Sequence, residues 1–195
     1  TDILGTPKIE IEKIHSKPRI GIVNGLYANN IGMGGIVPVQ VFSNFTKTSS
    51  CDNLKLTGHQ GKVMKESVIC AYTAALEYIN SNHNKFGIKN FSELLNTKFP
   101  YGFHIHTPSG SVPKDGPSAG CAFATAFISK ITGKKIPNTI AMTGEIDSPG
   151  NITKIGGLRY KLRGAMKAGV KLVFIPYENK KELEEIKKED ISELE

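Results

Sequence analysis

One serine stands between two glycines in Gly116-Pro117-Ser118-Ala119-Gly120. It sits at the mouth of an apolar, small-residue segment running from Ser118 to Ile131. The spacing is the G-x-S-x-G of a serine nucleophile. A serine hydroxyl needs a base to take its proton, and histidine is the common one. The five histidines, His15, His59, His83, His104 and His106, all precede Ser118. An α/β-hydrolase needs an apolar strand running into the serine, then an acid and a histidine after it. Here a polar, proline-rich loop, Thr107 to Pro117, leads in, so that reading fails. An order of His, Asp, Ser is allowed by counting, but a helix after Ser118 and few strands do not make two β-barrels.

A lysine can replace histidine if its amine is neutral near pH 7, which requires burial. Lys161 is the candidate, in Gly156-Gly157-Leu158-Arg159-Tyr160-Lys161-Leu162-Arg163-Gly164-Ala165. A helix starting near Gly157 puts Lys161 on the small apolar face with Gly157, Leu158 and Ala165, and Arg159, Arg163 and Lys167 on the other side. The same pattern fits an ordinary amphipathic helix whose lysine reaches water, and the residues alone leave both readings open. Thr143 ends an apolar stretch just before Gly144. Its hydroxyl can hold a neutral amine toward a serine, or be a plain strand-end threonine. Backbone N–H groups at the helix start beside Ser118 can stabilise an oxyanion. Gly116 and Gly120 let a substrate backbone approach closely. Ser111-Val112-Pro113-Lys114 also matches S-x-x-K, but Pro113 in a Gly/Pro loop denies it the helix that motif requires.

These residues must be positioned by elements that the sequence also predicts. Arg19 to Ala28, Gly35 to Phe42, Leu54 to Thr57 and Phe103 to His106 read as strands, with turns at Asn29-Asn30 and the Gly32/Gly34/Gly35 cluster. Lys62 to Asn80 reads as a helix with Val63, Ser67, Cys70, Ala74 and Ile79 near one face. Asn82 to Lys98 reads as a polar surface excursion. Ser118 to Ile131 is a buried helix, Thr139 to Glu145 a strand, and Gly157 to about Gly169 a helix. Leu172 to Ile175 is a buried strand, and a last charged helix starts at Asn179 or Lys180. Residues 1–18, with the alternating Ile9-Glu10-Ile11-Glu12, form a linker or leading strand, and 19–195 form one domain. Strands and helices mix without strict alternation, which predicts an α+β fold. His104 and His106 share a strand face, which favours polar residues beside the loop over a metal site. No metal ligand set is expected.

The motifs together resemble the proteolytic domain of Lon-type ATP-dependent serine proteases. PKDGPSAG at 113–120, AMTGE at 141–145 and GGLRYKLRGA at 156–165 carry the resemblance, as does the separation between Ser118 and Lys161. It extends through TGHQGKVMKES at 57–67, FHIHTPSG at 103–110 and VFIPYENKKELEEI at 173–186. It implies a Lon-type α+β fold and a Ser–Lys dyad, with Ser118 as nucleophile, Lys161 as general base and Thr143 in support. Asp115, Gly116, Pro117 and Ala119 would form the supporting or oxyanion region. It further implies unfolded or damaged polypeptide as substrate, a ring of six subunits, and ATP with Mg in a separate module of a full-length protein. No cofactor site is expected in this chain: Gly61-Lys62-Val63 and Gly133-Lys134-Lys135 lack the Ser/Thr and glycine spacing of a P-loop. The alternative is a non-catalytic ring-forming or partner-binding module of the same fold. An intact Ser118/Lys161 pair argues for the enzyme.

The chain has 195 residues and a net charge of +7, which fits one large domain or two small ones with a real core. Its basic residues are not interleaved with aromatics, which argues against specific nucleic-acid binding. Cys51, Cys70 and Cys121 form no C-x-x-C pair, the sparse cysteine usage of a reducing compartment. No run reaches membrane-spanning length and the start is no signal peptide. The expectation is a soluble intracellular protein, cytoplasmic, or of the mitochondrial matrix in a eukaryotic source.

Overall fold

A computed structural model describes residues 12–47, 53–108 and 114–190. The first elements are a hairpin, β1 (Ile22–Ala28) and β2 (Gly34–Ser43), in antiparallel register from Ile22 opposite Gln40 to Ala28 opposite Gly34. Asn29 makes its turn: Oδ1 accepts the N–H groups of Ile31 at 3.2 Å and Met33 at 2.9 Å. β3 (Leu54–Thr57) follows, then the long helix α1 (Lys62–Ser81), a short 3₁₀ turn at His83–Phe86 and α2 (Phe91–Lys98). β4 (Phe103–His106) leads toward the serine loop, and α3 (Gly120–Thr132) leaves it. Beyond lie β5 (Ile140–Met142), the two-stranded ribbon of β6 (Glu145–Ile146) and β7 (Ile152–Thr153), α4 (Leu158–Ala168), β8 (Leu172–Phe174) and α5 (Lys180–Asp190).

Six strands form one mixed sheet in the order β3-β4-β2-β1-β5-β8. β3 and β4 are parallel, as are β1, β5 and β8, while β2 is antiparallel to both its neighbours. One face carries α1 and α3, where Val23, Val39 and Val41 pack with Val68, Ala71, Phe123 and Phe127. The other face carries α4, where Leu26, Ile36 and Ala141 meet Ala165 and Ala168. The serine and the lysine therefore come from opposite faces of one sheet and meet at the C-terminal end of β5. The expected α+β class holds, as a mixed sheet covered on both sides.

Several expected elements differ. The buried face of α1 is Met64, Ser67, Val68, Ala71, Ala74, Ala75 and Ile79, while Val63 is 44% exposed and Cys70 is half-buried. The face is rotated by about one residue because Met64, Val68, Ala71 and Ala75 keep a helical period. Residues 82–98 are not a simple surface excursion. Asn90 caps α2 by accepting the Glu93 N–H at 3.1 Å, and Phe86, Ile88, Phe91, Leu94 and Leu95 pack on the core. The strand expected over 139–145 breaks at Thr143-Gly144 into β5 and β6, because those two residues turn aside to hold the serine loop. β8 is not buried: Leu172 is 50% and Phe174 53% exposed. Its apolar residues read as a central strand, but it stands last in the sheet, with β5 as its neighbour. The linker assignment is only partly visible, since Ile9, Glu10 and Ile11 lie outside the described residues. Ile14 donates its N–H to Ala168 O at 3.2 Å and packs beside Ala165, so this part is docked on α4.

Candidate active site

Ser118 lies in a turn just before α3, with Ala119 at the helix N-cap. The helix therefore starts two residues later than the sequence predicts. Helix α1 grips the chain on the N-terminal side of the serine. Asp115 Oδ1 accepts the N–H groups of Met64 and Gly116, each at 2.8 Å, so its carboxylate caps α1. Those N–H bonds, Met64 first, hold the carboxyl below its usual range. Gly61 donates its N–H to Lys114 O at 2.7 Å. Ser67, buried on α1, donates its hydroxyl to Pro117 O at 3.2 Å. Gly116 turns the chain with φ of 105°, a conformation that favours glycine.

The end of β5 grips the other side. Gly144 N–H donates to Ser118 O at 2.8 Å, Cys121 N–H donates to Gly144 O at 3.1 Å, and Thr143 Oγ1 donates to Ser118 O at 3.1 Å. Gly120 serves packing rather than substrate approach: a Cβ there would lie 2.8 Å from Ile146 Cγ2 and 3.0 Å from Ser67 Oγ. Of the N–H groups around the serine, Gly120 gives its own to Pro117 O at 3.0 Å and Cys121 is bound to Gly144. Those of Ser118 and Ala119 have no hydrogen-bond partner among the described residues.

Lys161 comes from α4, whose start is set by distant contacts. Gly157 opens the helix in a left-handed conformation, φ 69°. The buried Asn179 side chain acts like a strand partner for Ile155, accepting its N–H at 3.1 Å and donating to its carbonyl at 2.9 Å. Nδ2 also donates to Glu182 Oε2 at 2.8 Å. Leu158, Lys161, Gly164, Ala165 and Ala168 form the buried face, as the helical period predicts. Lys161 is only 3% exposed, which closes the reading of a lysine reaching water. Burial pushes its amine from 10.5 down to about 8, against the opposing pull of Cys121 and Glu182.

Lys161 Nζ donates to Thr143 Oγ1 at 3.1 Å. A hydroxyl has one hydrogen, and Thr143 gives it to Ser118 O. Toward the lysine its oxygen must accept. One N–H of the amine is thereby fixed on Thr143, and the lone pair of a neutral amine is left for another atom. Among the described residues no hydrogen bond joins Nζ to Ser118 Oγ; Thr143 links the amine to the Ser118 backbone carbonyl instead. The neighbouring Cys121 thiol is pushed up to about 12 by burial, so it stays protonated. Thr143 and Cys121 also border an apolar cavity of about 740 Å³ whose lining includes Phe174 of β8.

The other sequence candidates lie apart. His104 Nε2 and His106 Nδ1 share the Thr57 hydroxyl, each at 2.8 Å, on one face of β4 as the alternation predicts. Among the described residues no three His, Cys, Asp or Glu side chains group as metal ligands. Ser111 and Pro113 lie outside the described residues, as does Cys51. Neither Gly-Lys pair fits a nucleotide phosphate. At Gly61 the Asp115 carboxylate occupies the position a Cβ would take, and Gly133 ends α3 rather than opening a helix.

Ser67, Asn179 and Glu182 are the contributors that sequence reasoning missed. Ser67 was placed on the inner face of α1, but nothing in its spacing reveals its bond to Pro117.

Compared with known protein families, residues 1–195 match the Lon protease (S16) C-terminal proteolytic domain. A Lon protease homolog of Acanthamoeba polyphaga mimivirus is 52% identical over 188 residues, 95% of this chain and 18% of its own length. The Lon protease of Citrifermentans bemidjiense is 42% identical over 197 residues, 100% of this chain and 23% of that protein. That of Flavobacterium johnsoniae is 38% identical over 192 residues, 98% and 22% respectively. The chain thus spans about a fifth of the length of these curated relatives. With a serine turn and a buried lysine joined through Thr143, and a family match over the whole chain, the chain belongs to the proteolytic domain family of Lon-type serine peptidases.

Proposed function

We propose that this domain hydrolyses peptide bonds with Ser118 as nucleophile and Lys161 as general base. The observation that carries the reading is the buried lysine amine bonded to Thr143, whose hydroxyl also binds the Ser118 carbonyl. The neutral amine takes the Ser118 Oγ proton as the oxygen attacks the substrate carbonyl carbon. Such contacts commonly tighten only when substrate is bound. The resulting oxyanion is held by the N–H groups of Ser118 and Ala119, while Asp115, Gly116 and Pro117 fix the turn that aims them. The lysine ammonium then gives its proton to the leaving amine, the C–N bond breaks, and an acyl-serine remains. Water, deprotonated by the same amine, attacks the acyl carbon and releases Ser118.

The substrate in this reading is unfolded or damaged polypeptide, fed by an ATPase module of a full-length protein that forms a six-membered ring. Family membership supports that reading. ATP and Mg would act in that module. The reading places the protein in protein quality control and catabolism inside the cell, in the cytoplasm or a eukaryotic mitochondrial matrix. Free Cys70 and Cys121 are consistent with a reducing compartment. Among the described residues no helix is long and apolar enough to cross a membrane. The test is Ser118→Ala in the intact protein: peptide cleavage is expected to vanish with the melting temperature unchanged. Retained cleavage by a folded variant would remove Ser118 from its role.

A further inference from the structure

Helix α4 crosses the start of β2 with no side chain between them. A Cβ added at Gly34 would overlap the Tyr160 carbonyl and lie 3.0 Å from Lys161 N. A Cβ added at Gly164 would overlap the Gly34 carbonyl group and Gly35 N. Neither glycine has a left-handed φ, so backbone freedom does not explain them. Inside a helix glycine is a poorer choice than alanine, so local preference runs against Gly164. The close crossing is what requires both. Lys161 lies one turn before Gly164 and Ala165 on the same buried face. Lifting α4 off β2 would draw Nζ away from Thr143 and let water reach it.

We propose that Gly34 and Gly164 are positioning residues for Lys161: their bare backbone contact sets the depth of α4 against the β1–β2 hairpin, and so keeps the amine dry and within reach of Thr143. The proposal rests on Lys161 being the base. The groups that face Nζ come from three other elements, namely Thr143 after β5, Cys121 on α3 and Glu182 on α5. β1 and β2 meet this side of α4 with Leu26 and Ile36. Displacing α4 from β2 therefore acts through hydration of the amine and its distance from Thr143.

The test compares Gly164→Ala and Gly34→Ala with the wild type in the intact protein, using an unstructured peptide across pH 6 to 11. A second readout is pH-dependent acylation of Lys161, quantified by mass spectrometry. The midpoint of the rate should move up from about 8 toward the ordinary lysine value, by about one pH unit or more. The rate near pH 7.5 should then fall about tenfold or more and recover near pH 10, with KM unchanged. The acylation midpoint should move with it. Gly156→Ala, whose methyl meets nothing within 4 Å, should keep the wild-type midpoint. If neither variant folds, Ala165→Val presses more gently on the same crossing, against Leu26 and Ile36, and should give a smaller upward shift. A loss of rate equal at all pH values, or an acylation midpoint that stays in place, overturns the proposal. Activity retained by Lys161→Ala would instead overturn the base assignment, while the acylation midpoint still tests the crossing.

Discussion

A lysine held neutral in the fold costs stability wherever the unfolded chain would carry its charge. The folded value of about 8 lies below the ordinary 10.5. Below about pH 8 both states hold the proton, and the full cost is present. Between the two values the unfolded state binds more protons, so stability rises with pH. Above about 10.5 the cost is gone. At 1.36 kcal/mol per unit it reaches at most about 3 kcal/mol. Lys161→Met should therefore be inactive yet melt higher than wild type at pH 7, with the difference closing by about pH 11. Wild-type cleavage should climb with pH through about 8, and Lys161→Arg should be dead because guanidinium keeps its proton. A flat pH–rate profile, or an active arginine variant, would contradict a lysine base. Helical period placed Lys161 on the buried face of its helix and the apolar stretch ended at Thr143, but the residues alone left both roles open, and only the family resemblance tied them to Ser118. Glu182 and Asn179 were not legible, because their contacts to the lysine helix cross between separate elements.

Among the elements, α1 does more than cover the sheet. Its N-terminal half holds the serine loop through Asp115 and through Ser67. Ser67→Ala removes one of two donors to Pro117 O; the other is Gly120 N–H. The loss of a buried hydrogen bond should cost about 1 kcal/mol of stability. It should also loosen the serine turn, lowering kcat while leaving KM and the pH midpoint in place. A shifted midpoint would show that α1 acts on the lysine instead. The strands and helices were largely legible from their periods, and the exceptions share a cause. Composition alone suggests burial for β8 and exposure for the 82–98 segment, whereas burial depends on what stands beside them. β8 is apolar but has an edge position. The 82–98 segment is polar on average, yet Phe86, Phe91, Leu94 and Leu95 recur at spacings that reach the core.

Taken whole, the proposed hydrolytic centre sits in a chain whose two Gly-Lys pairs form no phosphate cradle. This chain alone should therefore not degrade a stably folded protein, with or without ATP. Such a substrate exposes its backbone only about 10⁻³ to 10⁻⁶ of the time. An unstructured peptide escapes that limit and should be cut slowly. Incubating the chain with casein, a short fluorogenic peptide and a folded protein separates the cases. ATP-stimulated loss of the folded protein would show that the chain holds a nucleotide site.

Burial of the Cys121 thiol has a practical consequence for chemical probes. With its proton retained to about 12, the sulfur beside the lysine is a poor nucleophile toward maleimides and iodoacetamide. Cleavage should survive those reagents at neutral pH and be abolished by a boronate or fluorophosphonate. Inhibition by a maleimide that maps to Cys121 would mean that the thiol gives up its proton far below 12. Otherwise the inhibitor profile alone distinguishes this centre from a cysteine peptidase, without any substitution in the chain.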